Sequence, residues 1–373
     1  MRQVYLFALP LLLLFAPALA HKHLRPASTD AAHTGAVEAA ALSPDQAALN
    51  LVQTRIHDAR QLLDAQPATP DDAVTLAVAE ADTPSAPIQF LQVPKAVFLQ
   101  PDAQTLVKTT AGAQLTLKVV RPNYVNTAVT VTDASGRALD PLLVRYPVEK
   151  SGALSEIAYY TSAHPALAQP ALVRAGGAYI QRTLAGAAAS LAQQGIQIAP
   201  DVLDVAEHLA IVEHTDHKRF EHEDHAALFA EIRTLYALNA GDTFRYSVST
   251  AGAGGMIQMI PQTYADIRAH HPEVGLEADF VTGMRDHQNA AKAMLLYMQD
   301  TWDGLLKSDE VKQALAAHTA TEADLLAAGY NSNPARLPAY LKRGGAGWRT
   351  LIPAETKMYL RIYAAVDNLV DFS

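Results

Sequence analysis

Residues 249–261 read Ser-Thr-Ala-Gly-Ala-Gly-Gly-Met-Ile-Gln-Met-Ile-Pro and combine features that suit a ligand. Between Ala251 and Gly255 there is almost no side chain, so backbone can approach a bound molecule closely, and glycine can adopt positive φ there. Gln258 follows with both a donor and an acceptor. Met256, Ile257, Met259 and Ile260 are expected to pin the next helix to a core. A tight turn between helices uses the same composition, and the loop taken alone leaves both readings open. In a second segment, Ala327 to Leu337, one helix ends and another begins. Tyr330 and Asn331 sit at that junction, where polar groups can face a cleft. A third cluster gathers His214, His217, His222 and His225 with Asp216, Glu221, Glu223 and Asp224. Neutral imidazole suits zinc, and residues three apart can share one helical face. The run His222-Glu223-Asp224-His225 nevertheless lacks the His-Glu-x-x-His spacing of zinc proteases. It reads as a solvated, charged stretch; no metal and no other cofactor is expected.

The elements that would position these residues fall into two regimes. Ser43-Pro44-Asp45-Gln46 has the form of a capped helix start. Leu49, Val52, Ile56, Ala59 and Leu63 then make one apolar stripe. Pro67, Pro70, Pro84 and Pro87 mark 66–87 as a linker, so that 21–87 reads as a leader carrying one amphipathic helix. From 88 to 150 the period changes to two: Leu115, Leu117 and Val119 alternate with polar residues, as do Thr127, Val129 and Val131, followed by the turn Asp133-Ala134-Ser135-Gly136. This predicts a small β domain of five or six strands, a spacer or a contact for the cell wall or a partner protein. The remainder, 151–373, reads as all α, with helices predicted over 170–194, 201–213, 226–238, 261–269, 288–302, 321–328 and 356–370.

Half of the residues are apolar, so a sizeable core can form, and the formal charge is −9 with no basic run. That balance argues against nucleic acid as a partner. Arg2 is the one charge in the first twenty residues, Val4–Phe15 is almost wholly apolar, and Ala18-Leu19-Ala20 has the form of a cleavage site. Residues 1–20 therefore read as a signal peptide. The chain has no cysteine, hence no disulfide and no lipid-bearing cysteine, and a periplasmic or secreted location is expected.

Taken in order, four segments resemble the catalytic domain of soluble lytic transglycosylases. Ser249–Pro261 is similar to that family's Ser-x-x-Gly-Ala-x-Gly-Leu-Met-Gln-x-x-Pro block. Ala328-Gly329-Tyr330-Asn331-Ser332-Asn333-Pro334 is similar to its Ala-Tyr-Asn-x-Gly-Pro block. Between them, Asp286–Met298 resembles its Asn-x-x-Ala-Gly-x-x-Tyr-Leu helix, and Pro353–Leu360 its Pro-x-Glu-Thr-x-x-Tyr-Val segment. The matches span roughly residues 200–370. The resemblance implies an α+β chain in which a small N-terminal β domain precedes an all-α lysozyme-like domain. It implies cleavage of the β-1,4 bond between N-acetylmuramic acid and N-acetylglucosamine in peptidoglycan glycan strands, leaving 1,6-anhydro ends. Gly255, Met256, Gln258, Tyr330 and Asn331 would hold the sugar, with Tyr330 bonded to the carboxylate or the substrate.

In that family one glutamic acid serves as acid and then as base, at a helix end reading Ala-Ile-Ile-x-x-Glu-Ser. Here the segment is Leu209-Ala210-Ile211-Val212-Glu213-His214-Thr215-Asp216. Strict register puts Thr215 at the acid's position; a shift of two puts Glu213 there, and with it His214 in place of the serine. Glu213 follows apolar residues and is expected near the buried end of its helix, which makes it the assigned catalytic acid. Glu221, Glu223 and Glu231 are expected to face water, and Lys218–Phe244 to be an insertion that lengthens the interval to the glycine loop. The alternative is a catalytically impaired wall-binding or scaffolding protein on the same fold.

Overall fold

The computed structural model describes residues 44–372 apart from 69, 81–82, 84 and 163–166. The expected signal peptide over 1–20, the expected leader residues 21–42 and the expected cap Ser43 lie outside the described residues. Helix α1, Pro44–Asp64, carries the expected stripe: Ala59 and Leu63 are fully buried with Ile56 beside them, and Leu49 and Val52 pack on the neighbouring cluster of Leu167, Leu172, Ala237 and Leu238.

Among the described residues seven antiparallel strands follow: β1 (Ala73–Ala79), β2 (Gln89–Pro94), β3 (Gln104–Lys108), β4 (Gln114–Arg121), β5 (Ala128–Asp133), β6 (Ala138–Lys150) and β7 (Ala153–Tyr160). A four-residue helix, α2 (Lys95–Phe98), separates β2 from β3. The order is β2-β1-β6-β5-β4-β3, with β7 also paired to β6. A bridge from Leu91 to Thr109, and Thr110 N–H donating to Phe90 O at 2.9 Å, bring β2 back to the end of β3 and curl six strands into a ring. The alternating residues Leu115, Leu117, Val119, Val129 and Val131 fill its inside.

Two boundaries need correction. The linker predicted over 66–87 contains β1. That strand is buried on both faces, by the ring interior on one and α1 on the other, so its sequence runs apolar without alternation. The border between 150 and 151 falls in the β6–β7 hairpin, and the segment assigned to the helical region opens with a strand. The described residues cluster as one compact unit.

The helices are α3 (Pro170–Gln193), α4 (Pro200–Val212), α5 (His217–His222), α6 (His225–Leu238), α7 (Pro261–His270), α8 (Phe280–Arg285), α9 (His287–Leu305), α10 (Asp309–Ala316), α11 (Glu322–Asn331), α12 (Leu337–Gly344) and α13 (Ala354–Leu369). The long α3 packs against α1, α4, α6 and α9. Its crossing with α6 requires glycine at 176, where a Cβ would lie 1.8 Å from the Arg233 carbonyl oxygen. Among the described residues no helix is long and apolar enough to cross a membrane.

The stretch read as a solvated insertion is a core element. Leu228, Phe229, Ile232, Leu235 and Tyr236 of α6 are buried. Its charges have defined work. Asp216 caps α5 and Asp224 caps α6, each accepting a backbone N–H of the first turn. Glu231 does not face water: it pairs with Arg219 of α5 at 2.7 Å and with Arg121 of β4 at 2.6 Å. A second tie between sheet and helices runs from Glu156 of β7 to Arg285 at 2.7 Å.

Candidate active site

Helix α4 begins with Pro200 in its first turn and is apolar along most of its length, with Val202, Val205, Leu209, Ala210, Ile211 and Val212 buried. A helix buried almost all round delivers its C-terminal residue into the protein. That residue is Glu213, whose N–H closes the last turn on Leu209 O at 3.0 Å. Thr215 folds its hydroxyl back onto Ile211 O at 3.0 Å, and Asp216 is exposed as the α5 cap. Of the two registers, the shifted one therefore places the carboxyl group in the cleft.

The cleft holds about 790 Å³ and is lined by Glu213, Gln258, Tyr297, Tyr330, Asn331 and Tyr359, among others. Glu213 is half-buried, open to the cleft on one side and enclosed on the others. Tyr359 of α13, itself buried, donates its hydroxyl to Glu213 Oε1 at 2.5 Å. Burial pushes the Glu213 carboxyl up to about 8; the Tyr359 hydrogen bond pulls the other way, and the charge of Glu355 at the cleft rim adds to the rise. No cation appears among these influences. At neutral pH the group is a protonated carboxyl able to give a proton away. Burial, and then the charge of Glu213, hold both Tyr330 and Tyr359 well above the ordinary tyrosine range, so both remain hydroxyl donors.

The glycine-rich loop is tightly folded. Ser249 N–H donates to Ala253 O at 2.8 Å, and Gly254 bridges to both Val248 and Met259. Gly255 has φ +70°, and a Cβ there would meet the Met284 carbonyl oxygen at 2.3 Å. Met256 and Ile257 are fully buried and wedge the loop onto the core. Gly255 and Met256 are absent from the cleft lining, so the expectation that they touch the sugar is corrected: they anchor the loop, and Ser249, Ala251 and Ala253 face the cleft. Gln258 does line it, in the left-handed region at φ +47°, with Nε2 donating to Gly255 O at 2.8 Å.

Tyr330 and Asn331 close α11 and both line the cleft. The expected bond from Tyr330 to the carboxylate is not formed. Its hydroxyl donates to Ile257 O at 2.7 Å, and its ring stands edge-on to Tyr297 with centroids 5.7 Å apart. Asn331 Oδ1 is buried without a hydrogen-bond partner. The residue that holds Glu213 is Tyr359, to which the sequence reading gave no role. The signal available was its place as the tyrosine of the Pro353–Leu360 segment, four residues after Glu355.

The histidines go to separate tasks. His214 stacks on Phe244, with ring centroids 3.3 Å apart, and bonds through Nε2 to Met256 O at 2.9 Å. Burial pushes it down to about 3, so it stays neutral and donates to that carbonyl. His225 stacks on Phe220, His222 is exposed, and His217 reaches the cleft rim. Among the described residues no three His, Asp or Glu side chains gather as a metal site. The chain matches no protein-family model, no curated protein and no solved structure.

Proposed function

We propose that the chain is an exported peptidoglycan lytic transglycosylase whose helical region is lysozyme-like. The observation that carries this reading is Glu213, a carboxyl group raised to about 8 and aimed by Tyr359 into a cleft bounded by Gln258, Tyr330 and Asn331. The protonated group gives its proton to the glycosidic oxygen as the C–O bond breaks, and the N-acetyl group of the sugar assists. The carboxylate so formed then removes the proton of the 6-hydroxyl, whose oxygen closes the anhydro ring. The proton returns to Glu213 and no water is consumed. A group that must act as acid and then as base needs a pKa close to the working pH, and burial without a cation supplies one. Export rests on residues 1–20, and the lysozyme-like fold rests on the four ordered sequence segments.

Digestion of purified sacculi followed by mass spectrometry tests the proposal. Anhydro ends lie one water below hydrolytic ends, and Glu213→Gln should leave the sacculi uncut. Hydrolytic products, or full cleavage by Glu213→Gln, would overturn it. The engagement of His214 with Met256 O, where the resemblance implies a serine beside the acid, favours a second reading: a wall-binding or scaffolding protein without turnover. Sacculus binding by the intact chain with no product would select that one.

A further inference from the structure

A second cavity, of about 350 Å³, opens between the turn joining β4 to β5 and the arm that leads into the cleft loop. Its wall carries the exposed ring of Tyr124, the half-buried ring of Tyr246 and the amides of Asn123 and Asn126, and the buried rings of Tyr160 and Phe244, the latter stacked on His214, close it from the core side. None of its lining residues is acidic or basic. Tyr124 is 70% exposed and sits at φ +46°. A bulky residue pays conformational strain in that region and persists there only when its surroundings enforce it. The enforcement is visible: Thr127 Oγ1 donates to Tyr124 O at 2.8 Å and accepts from Asn123 N–H at 2.9 Å, which locks the turn. Nothing in the core requires an exposed tyrosine at that strained position. Asn126, in the same wall, is half-buried, and its Oδ1 is enclosed without a hydrogen-bond partner, an unfavourable state for an acceptor.

We propose that this cavity is a second carbohydrate site, separate from the acid cleft, that takes an N-acetylhexosamine unit of a glycan strand. The exposed ring of Tyr124 can accept the apolar C–H face of a pyranose, since a tyrosine presents an apolar body with a polar tip. The exposed Asn123 amide matches the donor and acceptor of an acetamido group. A lining without charge suits a neutral sugar, and the guanidinium groups of Arg245 and Arg285 over the Tyr246 ring are paired with Asp242 and Glu156. The location also fits. Ser247 and Val248 line this cavity and Ser249 lines the cleft, and two residues of chain span at most about 7 Å. One strand can therefore touch both sites on either side of the loop arm. The choice of an N-acetylated sugar rests on the proposed reading of the cleft; the presence of a site does not.

The test titrates soluble N-acetylglucosamine oligomers into the full chain carrying Glu213→Gln and follows backbone amide shifts by NMR. Shifts at 123–126 and 246–248, in addition to those at Gln258 and Asn331, are expected. The companion variant Tyr124→Gly removes the ring and also relieves the positive φ. It should fold at least as stably as the parent and bind longer oligomers at least about fivefold more weakly. Shifts confined to the cleft, or unchanged affinity in Tyr124→Gly, would overturn the second site while leaving the cleft reading intact. Shifts at 123–126 and 246–248 with none in the cleft would support it and remove the cleft reading. No shift at either place removes both.

Discussion

Glu213 and Glu231 lie eighteen residues apart, both half-buried, and they end in opposite states. Glu231 sits between two guanidinium groups, Arg219 and Arg121, and although burial raises its carboxyl, those partners bring it below the ordinary range. Glu213 has a phenol for a partner and another acid for a neighbour, and burial takes it to about 8. Partial burial is common to both; the presence or absence of a cation decides the charge. One carboxylate ties the sheet to the helices as a permanent anion, and the other keeps a proton that can be transferred.

The largest effect that would break this contrast is Glu213→Gln, for which a loss of about 10²–10⁴ in cleavage rate is expected. The same substitution should raise the melting temperature at alkaline pH. A carboxyl whose folded pKa is raised contributes stability that is full below its unfolded value of 4.5 and lost as pH rises through about 8. If thermal melts of parent and variant coincide across that window, the carboxyl is not held protonated. Next in size, Glu231→Ala should cost about 1–3 kcal/mol at neutral pH, less than for a fully enclosed pair because the side chain keeps some solvent, with turnover per folded molecule unchanged. Its sign is opposite: a depressed carboxyl contributes above its unfolded value of 4.5 and loses that contribution as pH falls through its folded value. Denaturant melts at pH 7 and pH 3 should converge for parent and variant at the lower pH.

Tyr359→Phe removes the donor that lowers the Glu213 pKa. The alkaline limb of kcat/KM should move upward and the rate at pH 7 should fall by about tenfold, roughly the value of one hydrogen bond to a charged group. A pH–rate profile identical to the parent's would detach Tyr359 from the acid. The smallest effect is expected from Glu355→Gln. Removing that exposed neighbour should shift the alkaline limb downward by a fraction of a unit; an upward shift would contradict the attribution.

The parts legible in the sequence are those whose pattern is local. Leu115, Leu117 and Val119 alternate because one side of β4 faces the ring interior, and the α1 stripe recurs because one face of that helix is covered. Strand β1 escaped notice because both its faces are covered, which erases alternation and leaves a short apolar run among prolines. Glu213 could be selected because the apolar residues before it belong to its own helix. Glu231 was misread because its cations come from Arg219 and from Arg121, the latter 110 residues away. Tyr359 carried no role for the same reason, standing 146 residues from the carboxyl it holds. Patterns within one element reveal burial, whereas the charge of a buried group depends on which distant element arrives beside it.

The separation of Glu213 from Tyr359 has a consequence for timing. The cleft floor takes its carboxyl from α4 and its clamp from α13, and the two helices pack directly. Synthesis must pass Tyr359 before the acid can be seated, so a partly made or truncated chain can carry the loop, the groove and Glu213 itself and still lack an aimed proton donor. For a protein proposed to cut the polymer that encloses a cell, docking of α13 would act as an arming step built into the order of assembly.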